Sequence, residues 1–195
     1  MKTGKIILAS QSPRRSQLLQ WAEIPFEINI AETDERYPAH LSPPEVAMHI
    51  AFNKAATVKK NIGDSTPNGN VYTILAADTI VVLDNTIIGK PPGREAAIKT
   101  LSDLSGRTHS VITGVCILSA GKEIIFADET LVEFHTLSQE QIEYYIDKYK
   151  PYDKAGAYAI QEWIGVTGIR SISGDFYNVM GLPVSRVLKE LETLG

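Results

Sequence analysis

Short apolar runs rich in β-branched residues alternate with segments of helical periodicity in the N-terminal half of the chain. Two long β-prone runs joined around Gly121 follow them. Alternation of strands and helices favours parallel strands covered by helices, whereas a hairpin adds antiparallel neighbours. The pattern predicts an α/β protein with a mixed twisted sheet flanked by helices. The predicted strands cover 5–9, 25–30, 71–83, 86–89, 108–119 and 123–135, the helices 13–22, 44–60, 94–104, 139–148 and 182–194, and the loops 33–44 and 61–70.

Length, net charge, cysteine content and the lengths of apolar runs limit the kind of protein that this chain can be. The 195 residues are enough for one large domain, and the net charge of −4 means that any phosphate or nucleic-acid site must be local. The single cysteine, Cys116, allows neither an internal disulfide nor a cysteine metal cluster, which fits a reducing cytoplasm. No apolar run approaches the ~20 residues of a membrane span. We therefore expect a cytoplasmic protein without a membrane partner.

The turn between the first strand and the first helix has the composition of an anion site. Ser12 can cap the helix with Pro13 in its first position, and Arg14 and Arg15 then fall in its first turn. Cations are disfavoured there, because the exposed N–H groups already make that end positive. Ser10 and the planar guanidinium groups would suit phosphate oxygens, although two solvated surface arginines are an equally ordinary interpretation.

The second helix carries a lysine within an apolar stripe. Positions 46, 50, 54 and 58 share one face, and Lys54 is the polar member. Its ammonium could simply extend to solvent past the apolar neighbours. The alternative hypothesis is that this face borders a cleft into which Lys54 points.

Asp78 interrupts the longest β-prone run. An ionised carboxylate buried there would cost several kcal/mol unless it were paired or bound to a metal. Besides a simple turn cap, the candidate roles are therefore metal ligand and general base. Glu32, Asp34 or Glu35 could supply a second carboxylate, and two such ligands with substrate phosphates would suit Mg²⁺ or Mn²⁺.

Two weaker signals remain. Lys90 lies between glycine and proline in a loop that is not a P-loop, since the chain has no G-x-x-x-x-G-K-[ST] motif. Gln161 ends a run of small and apolar residues, where its amide could read a base edge or bond to a backbone turn. The histidines have no metal-ligand spacing, so they are interpreted as structural. The inventory of acids, arginines and lysines suits metal-assisted attack on a phosphoanhydride.

These segments, in this order, resemble the Maf family of nucleoside triphosphate pyrophosphatases. The resemblance covers nearly the whole chain. The motifs are Leu8-Ala-Ser-Gln-Ser-Pro-Arg-Arg15, Ala76-Ala-Asp-Thr-Ile-Val81, Gly89-Lys-Pro91, Leu104-Ser-Gly-Arg-Thr-His109, Val111-Ile-Thr-Gly-Val115, Lys154-Ala-Gly-Ala-Tyr-Ala-Ile-Gln161 and Asn178-Val-Met-Gly-Leu-Pro183.

The resemblance implies a fold and a reaction. The fold would be one two-lobed domain over residues 1–195 with a central cleft, like that of inosine triphosphate pyrophosphatases. The reaction would be hydrolysis of a nucleoside triphosphate to the monophosphate and pyrophosphate with a divalent metal. The ending Ala157-Tyr-Ala-Ile-Gln161 is similar to the branch that prefers dTTP and UTP, and modified pyrimidine triphosphates are further candidates. The resemblance is compatible with a homodimer.

The resemblance also implies roles for residues of this chain. Asp78 would be general base or metal ligand, and Glu35, which follows another acid as in the family, the second carboxylate. The phosphate-side residues and the positions that separate the subfamilies follow by matching motif. They are Ser10, Arg14 and Arg15 for binding the phosphates, Lys54 and Lys90 as catalytic lysines on the phosphate side, and Arg14, Thr79 and Gln161 for the subfamily. Glu162 and Trp163 depart from the family, which more often has glycine after the glutamine.

Two rival functions compete with this one. The first is a non-catalytic nucleotide- or nucleic-acid-binding regulator of septum formation, a process to which the family has been linked. The acidic charge and the absence of a basic stripe argue against stable nucleic-acid binding. The second rival is a different phosphohydrolase that releases orthophosphate.

Overall fold

The computed structural model of the protein describes residues 5–63 and 71–194, where the predicted strands and helices are present. The strands are β1 (Lys5–Leu8), β2 (Phe26–Ile28), β3 (Tyr72–Leu83), β4 (Thr86–Ile88), β5 (Thr108–Ser119), β6 (Lys122–Phe134) and β7 (Ile169–Ser173). The helices are α1 (Pro13–Trp21), α2 (Pro43–Ile62), α3 (Arg94–Leu104), α4 (Gln139–Tyr149), α5 (Trp163–Gly168), α6 (Phe176–Met180) and α7 (Val184–Glu192), and Ala155–Ala157 forms one 3-10 turn.

The described strands form a mixed seven-stranded sheet in the order β2-β1-β3-β5-β6-β7, with β4 paired to β3. β1 is parallel to both β2 and β3, whereas β4 and β7 are antiparallel to their neighbours. The predicted α/β class with a mixed sheet is therefore confirmed. The likeness to inosine triphosphate pyrophosphatases and the single two-lobed domain stay predictions.

Sequence reasoning missed three elements, α5, β7 and α6, and several predicted boundaries differ from the observed ones by one or two residues. The segment of α5, β7 and α6 has no clear periodicity, and β7 forms because Leu131–Phe134 of β6 supply its ladder partners. The predicted loop over 61–70 begins too early, because α2 continues to Ile62 and ends at Gly63, whose φ of 77° suits glycine. Residues 64–70 of that predicted loop lie outside the described residues.

The chain divides into two compact units. The first comprises Met1–Asp78, Thr113–Asp128 and Gly181–Gly195. In its core Ala51, Ala55 and Val58 of α2 pack against Ala9, which follows β1, and against residues of β1, β3 and β5: Ile7, Ile74, Ala76, Cys116 and Leu118. Gly114 allows this close approach, since a Cβ there would lie 2.2 Å from the Ala47 carbonyl carbon.

The second unit comprises Thr79–Ile112 and Glu129–Met180. One of its buried clusters joins Val81, Val111 and Val132. The fully buried Asn178 donates to the Val111 carbonyl and to Thr130 Oγ1, both at 3.0 Å. The asparagine of the Asn178–Pro183 motif is thus a structural anchor.

No helix among residues 5–63 and 71–194 combines the length and apolarity that a bilayer span requires.

Candidate active site

Helix α2 delivers Lys54 to the site. Ser42 caps the helix, and its backbone N–H donates to Glu45 Oε2 at 2.8 Å, which completes a capping box. The apolar face of α2 is buried, so the rotation of the helix about its axis is determined by packing. Lys54 lies at the margin of that face with its side chain 18% exposed, between core and solvent.

The ammonium of Lys54 lies between two carboxylates. Its Nζ is 2.7 Å from Asp78 Oδ1 and 2.8 Å from Glu35 Oε1. The Asp78 side chain is 16% exposed, so solvent alone would stabilise its charge poorly. Lys54, 24 residues away in the chain, neutralises the Asp78 carboxylate and so reduces the cost of burying its charge. This arrangement agrees with the hypothesis that Lys54 points into a site.

Strand pairing brings the end of β1 to the same part of the first unit. Leu8 pairs with Leu75, and the backbone N–H of Ala9 donates to the Leu75 carbonyl at 2.8 Å. β3 continues for three residues from Leu75 to Asp78, while the chain after Ala9 turns into α1. The turn that carries Ser10 therefore starts beside the strand that carries Asp78.

Ser10 and Arg15 form a buried hydrogen-bonded pair. Arg15 donates through Nη1 to Ser10 Oγ at 3.0 Å and through Nε to the Gly181 carbonyl at 2.8 Å. Ser10 Oγ also accepts from the Ser12 backbone N–H at 3.2 Å. Arg15 is only 8% exposed, so it differs from the open phosphate fork that the sequence suggested. Arg14, its neighbour in the first turn of α1, is half-buried.

Electrostatics connect this pair to the acidic residues. Burial lowers the pKa of Arg15, the negative charge of Asp78 raises it, Arg14 lowers it and Glu35 raises it. The negative charges of Asp78 and Glu35 thus partly offset the effect of burial on the guanidinium. The first unit brings together Ser10, Arg14, Arg15, Glu35, Lys54 and Asp78.

The other predicted site residues belong to the second unit. Thr79 is half-buried, and Lys90 is exposed between Gly89 and the buried Pro91. Gln161 is exposed directly after the buried Ile160. Their roles stay predictions.

Sequence reasoning missed a second lysine–acid cluster, in the second unit. The side chain of Lys154 is only 10% exposed, with Nζ 2.8 Å from Asp153 Oδ1 and 3.6 Å from Glu162 Oε1. Tyr145 Oη donates to Glu162 Oε2. One signal could have found the lysine: it stands directly before the small and apolar run that ends at Gln161, where a charge needs a partner.

Within the described residues, no group of three or more His, Cys, Asp or Glu side chains could hold a metal ion. The buried His109 has Nε2 2.7 Å from Tyr158 Oη, which agrees with a structural role for this histidine. A metal would therefore need further ligands beyond Asp78 and Glu35.

The fold and these residues define a class: α/β proteins whose converging carboxylates and cations suit the chemistry of phosphoanhydrides. The chain belongs to the Maf family, since the family model described as Maf-like protein matches residues 5–194. It is 47% identical over 193 residues to the dTTP/UTP pyrophosphatase of Parabacteroides distasonis, with 98% of this chain and 97% of the relative covered.

Two further relatives have the same name. The dTTP/UTP pyrophosphatase of Porphyromonas gingivalis is 46% identical over 198 residues, covering 100% of this chain and 96% of the relative. That of Cytophaga hutchinsonii is 49% identical over 189 residues, covering 97% and 84%.

Proposed function

We infer that this protein is a nucleoside triphosphate pyrophosphatase that hydrolyses dTTP and UTP to the monophosphate and pyrophosphate. The observation that carries the inference is the match, over nearly the whole chain, to relatives named dTTP/UTP pyrophosphatase. The cluster of Lys54, Asp78 and Glu35 supports it, because it supplies both a base and a cation in one place.

In the proposed reaction, water attacks the α-phosphorus and the bond from that atom to the bridging oxygen of pyrophosphate breaks. Asp78 accepts the proton of the attacking water, and pyrophosphate leaves with the bond electrons. Before substrate binds, Lys54 bonds to Oδ1 of Asp78 and so holds the carboxylate in the site. General-base catalysis of this kind contributes roughly 10²–10⁴ in rate.

The donor set of Asp78 and Glu35 fits a divalent metal, Mg²⁺ or Mn²⁺. Both carboxylates approach one point, the Lys54 ammonium, and Mg²⁺ is commonly held by one or two carboxylates plus substrate phosphates and water. When bound, the ion would supply positive charge that stabilises the leaving pyrophosphate. The contact with Lys54 would then exchange for contacts to the metal and the substrate.

We propose that the two arginines have different tasks. Arg15 is buried against Gly181 and Ser10, so it holds the turn between β1 and α1 and adds positive charge. Arg14 would contact the triphosphate together with Ser10, and Lys90 would add charge on the phosphate side. Thr79 and Gln161 would contribute to the choice of base, which includes modified pyrimidine triphosphates.

A substrate screen tests the proposal. Canonical and modified nucleoside triphosphates are incubated with Mg²⁺ or Mn²⁺, and pyrophosphate and orthophosphate are measured separately. We expect pyrophosphate from dTTP and UTP, no orthophosphate, and loss of activity with a chelator that excess metal restores. Orthophosphate as the first product would identify a different phosphohydrolase.

The relatives' names do not favour the non-catalytic regulator of septum formation. A salt titration of oligonucleotide binding separates the two functions, because a nucleic-acid binder shows a steep loss of affinity with salt. We expect no stable binding at any salt concentration. The cytoplasmic location and the homodimer also stay predictions, and light scattering of the purified protein tests the second.

A further inference from the structure

Tyr145 links two points of the segment that carries Gln161. Its hydroxyl accepts from the Ala159 backbone N–H at 3.1 Å and donates to Glu162 Oε2. Tyr145 is fully buried on α4, so its ring has little freedom to move. One side chain therefore holds the residues two before and one after Gln161.

Lys154 holds the same segment through charge. Its Nζ lies 3.6 Å from Glu162 Oε1, and the Glu162 side chain is 23% exposed. The two Glu162 oxygens thus have different partners, a tyrosine hydroxyl and an ammonium. Such a two-sided contact restricts the rotamer of Glu162 and the backbone beside it.

The backbone of the segment is equally constrained. The N–H of Glu162 donates to the Ala159 carbonyl at 3.1 Å, and the N–H of Gly165 donates to the Glu162 carbonyl at 2.9 Å. A Cβ on Gly165 would lie 1.7 Å from the Ile160 carbonyl oxygen, so α5 closes against the turn without space for a larger residue. Ala159 and Ile160 are buried, whereas Gln161 is exposed.

We propose that Tyr145, Lys154 and Glu162 are positioning residues that hold Gln161 in the orientation required to select the nucleobase. The inference rests on the function proposed above. An amide presents a donor at one end and an acceptor at the other, so it discriminates between bases only when its orientation is held. The contacts that hold Ala159 and Glu162 fix the backbone on both sides of Gln161 and so set the direction in which its exposed side chain leaves the turn.

The test compares selectivity in matched variants. The ratio of kcat/KM for dTTP to kcat/KM for dCTP is measured for the wild type, Gln161→Ala, Tyr145→Phe and Glu162→Gln, together with thermal unfolding. Tyr144→Phe is the control, because Tyr144 is the exposed neighbour on α4 and keeps its ring contact with Trp163 after the change.

We expect Tyr145→Phe and Glu162→Gln to lower the ratio about tenfold, the effect of roughly one lost hydrogen bond on discrimination. In the Gln161→Ala background neither change should lower it further, because coupled residues are not additive. Tyr144→Phe should leave it unchanged. If Tyr145→Phe does not fold, Lys154→Met and Lys154→Arg replace it in the test. Lys154→Arg keeps the charge, so its selectivity ratio should be higher than that of Lys154→Met and closer to the wild-type ratio.

Several results would overturn the inference. Unchanged selectivity in folded Tyr145→Phe and Glu162→Gln would mean that the network only stabilises the turn. Unchanged selectivity in Gln161→Ala would show that this amide does not read the base, while the proposed function would stand. Absence of pyrophosphate release by the wild type would refute the proposed function itself, and the inference with it.

Discussion

Two lysines of this protein each contact two carboxylates, with opposite consequences. Lys54 contacts Asp78 and Glu35, whereas Lys154 contacts Asp153 and Glu162. In the second cluster Tyr145 adds a further hydrogen bond to Glu162 and ties it to the backbone of Ala159. In the first cluster, contacts to a metal and a polyphosphate could replace the contacts of the lysine. In the second cluster, the contacts hold the segment around Glu162 in place.

The difference follows from where the partners lie in the chain. Glu35 belongs to an irregular segment and its side chain is 54% exposed, so its contact with Lys54 can be exchanged at modest cost. Glu162 precedes a helix that leaves no space at Gly165. The same pair of residue types is therefore suited to chemistry in one unit and to rigidity in the other.

The largest expected effect distinguishes the aspartates of the two clusters. Asp78→Asn should lower pyrophosphate release from dTTP by about 10³-fold or more, because the amide cannot accept the proton of water. Asp153→Asn, at a side chain 67% exposed, should leave it within about twofold of wild type, as exposed ion pairs contribute little. Initial rates with circular dichroism as the folding control measure both. Comparable rates for Asp78→Asn and wild type would contradict the role of Asp78.

Substitutions of the two lysines should differ in their effect on stability and in their response to divalent cations. Lys154→Met should lower the free energy of unfolding by on the order of 2 kcal/mol, since Glu162 loses a nearby charge in a mostly buried place. Lys54→Met removes the ammonium from between Asp78 and Glu35, so Mg²⁺ or Mn²⁺ should bind there and raise the melting temperature of this variant.

Differential scanning fluorimetry of both lysine variants with increasing Mg²⁺ and Mn²⁺ measures this effect. An equal response of the two variants would mean that the first cluster is as closed as the second.

His109, unlike the two lysines, is a titratable group that is buried in its neutral form. Burial lowers the pKa of His109 to about 4, from 6.5. Between pH 4 and 6.5 the unfolded chain binds a proton that the native protein does not. The contribution of the neutral His109 to the free energy of unfolding is therefore fully present above pH 6.5. It should fall by about 3 kcal/mol as the pH drops to 4.

Urea unfolding between pH 7.5 and 4.5 measures the loss. In His109→Gln the pH dependence should be shallower, whereas His40→Gln, at an exposed position, should match the wild type. Identical pH dependence in all three proteins would rule out His109 as the titrating group.

The smallest effect concerns Cys116, which is neutral and buried in the core of the first unit. Burial raises the pKa of its thiol to about 12, and the negative charge of Glu123 adds to the shift. A disulfide reagent at pH 8 should therefore react with the native protein much more slowly than with the urea-unfolded protein, because the thiolate is the reactive form. Rapid native reaction would show that the first unit opens readily.

The elements around the site could be predicted because their signals are local. The apolar period of α2 placed Lys54 at the margin of a buried face, and the apolar run of β3 made Asp78 conspicuous. Serine followed by proline marked the start of α1. By contrast, β7 has mostly exposed residues, and its pairing with β6 is not encoded in its own composition.

The sequence by itself determined the class of fold, most element boundaries and the residue types available for phosphate chemistry, because these depend on periodicity and composition within short segments. Only the tertiary structure decided that Lys54 contacts both Asp78 and Glu35, that Arg15 turns inward to Gly181, and that Lys154 joins Glu162. The physical reason is that the partner of a charge is chosen by distance in space, and that distance arises only when packing of the apolar faces brings remote segments together.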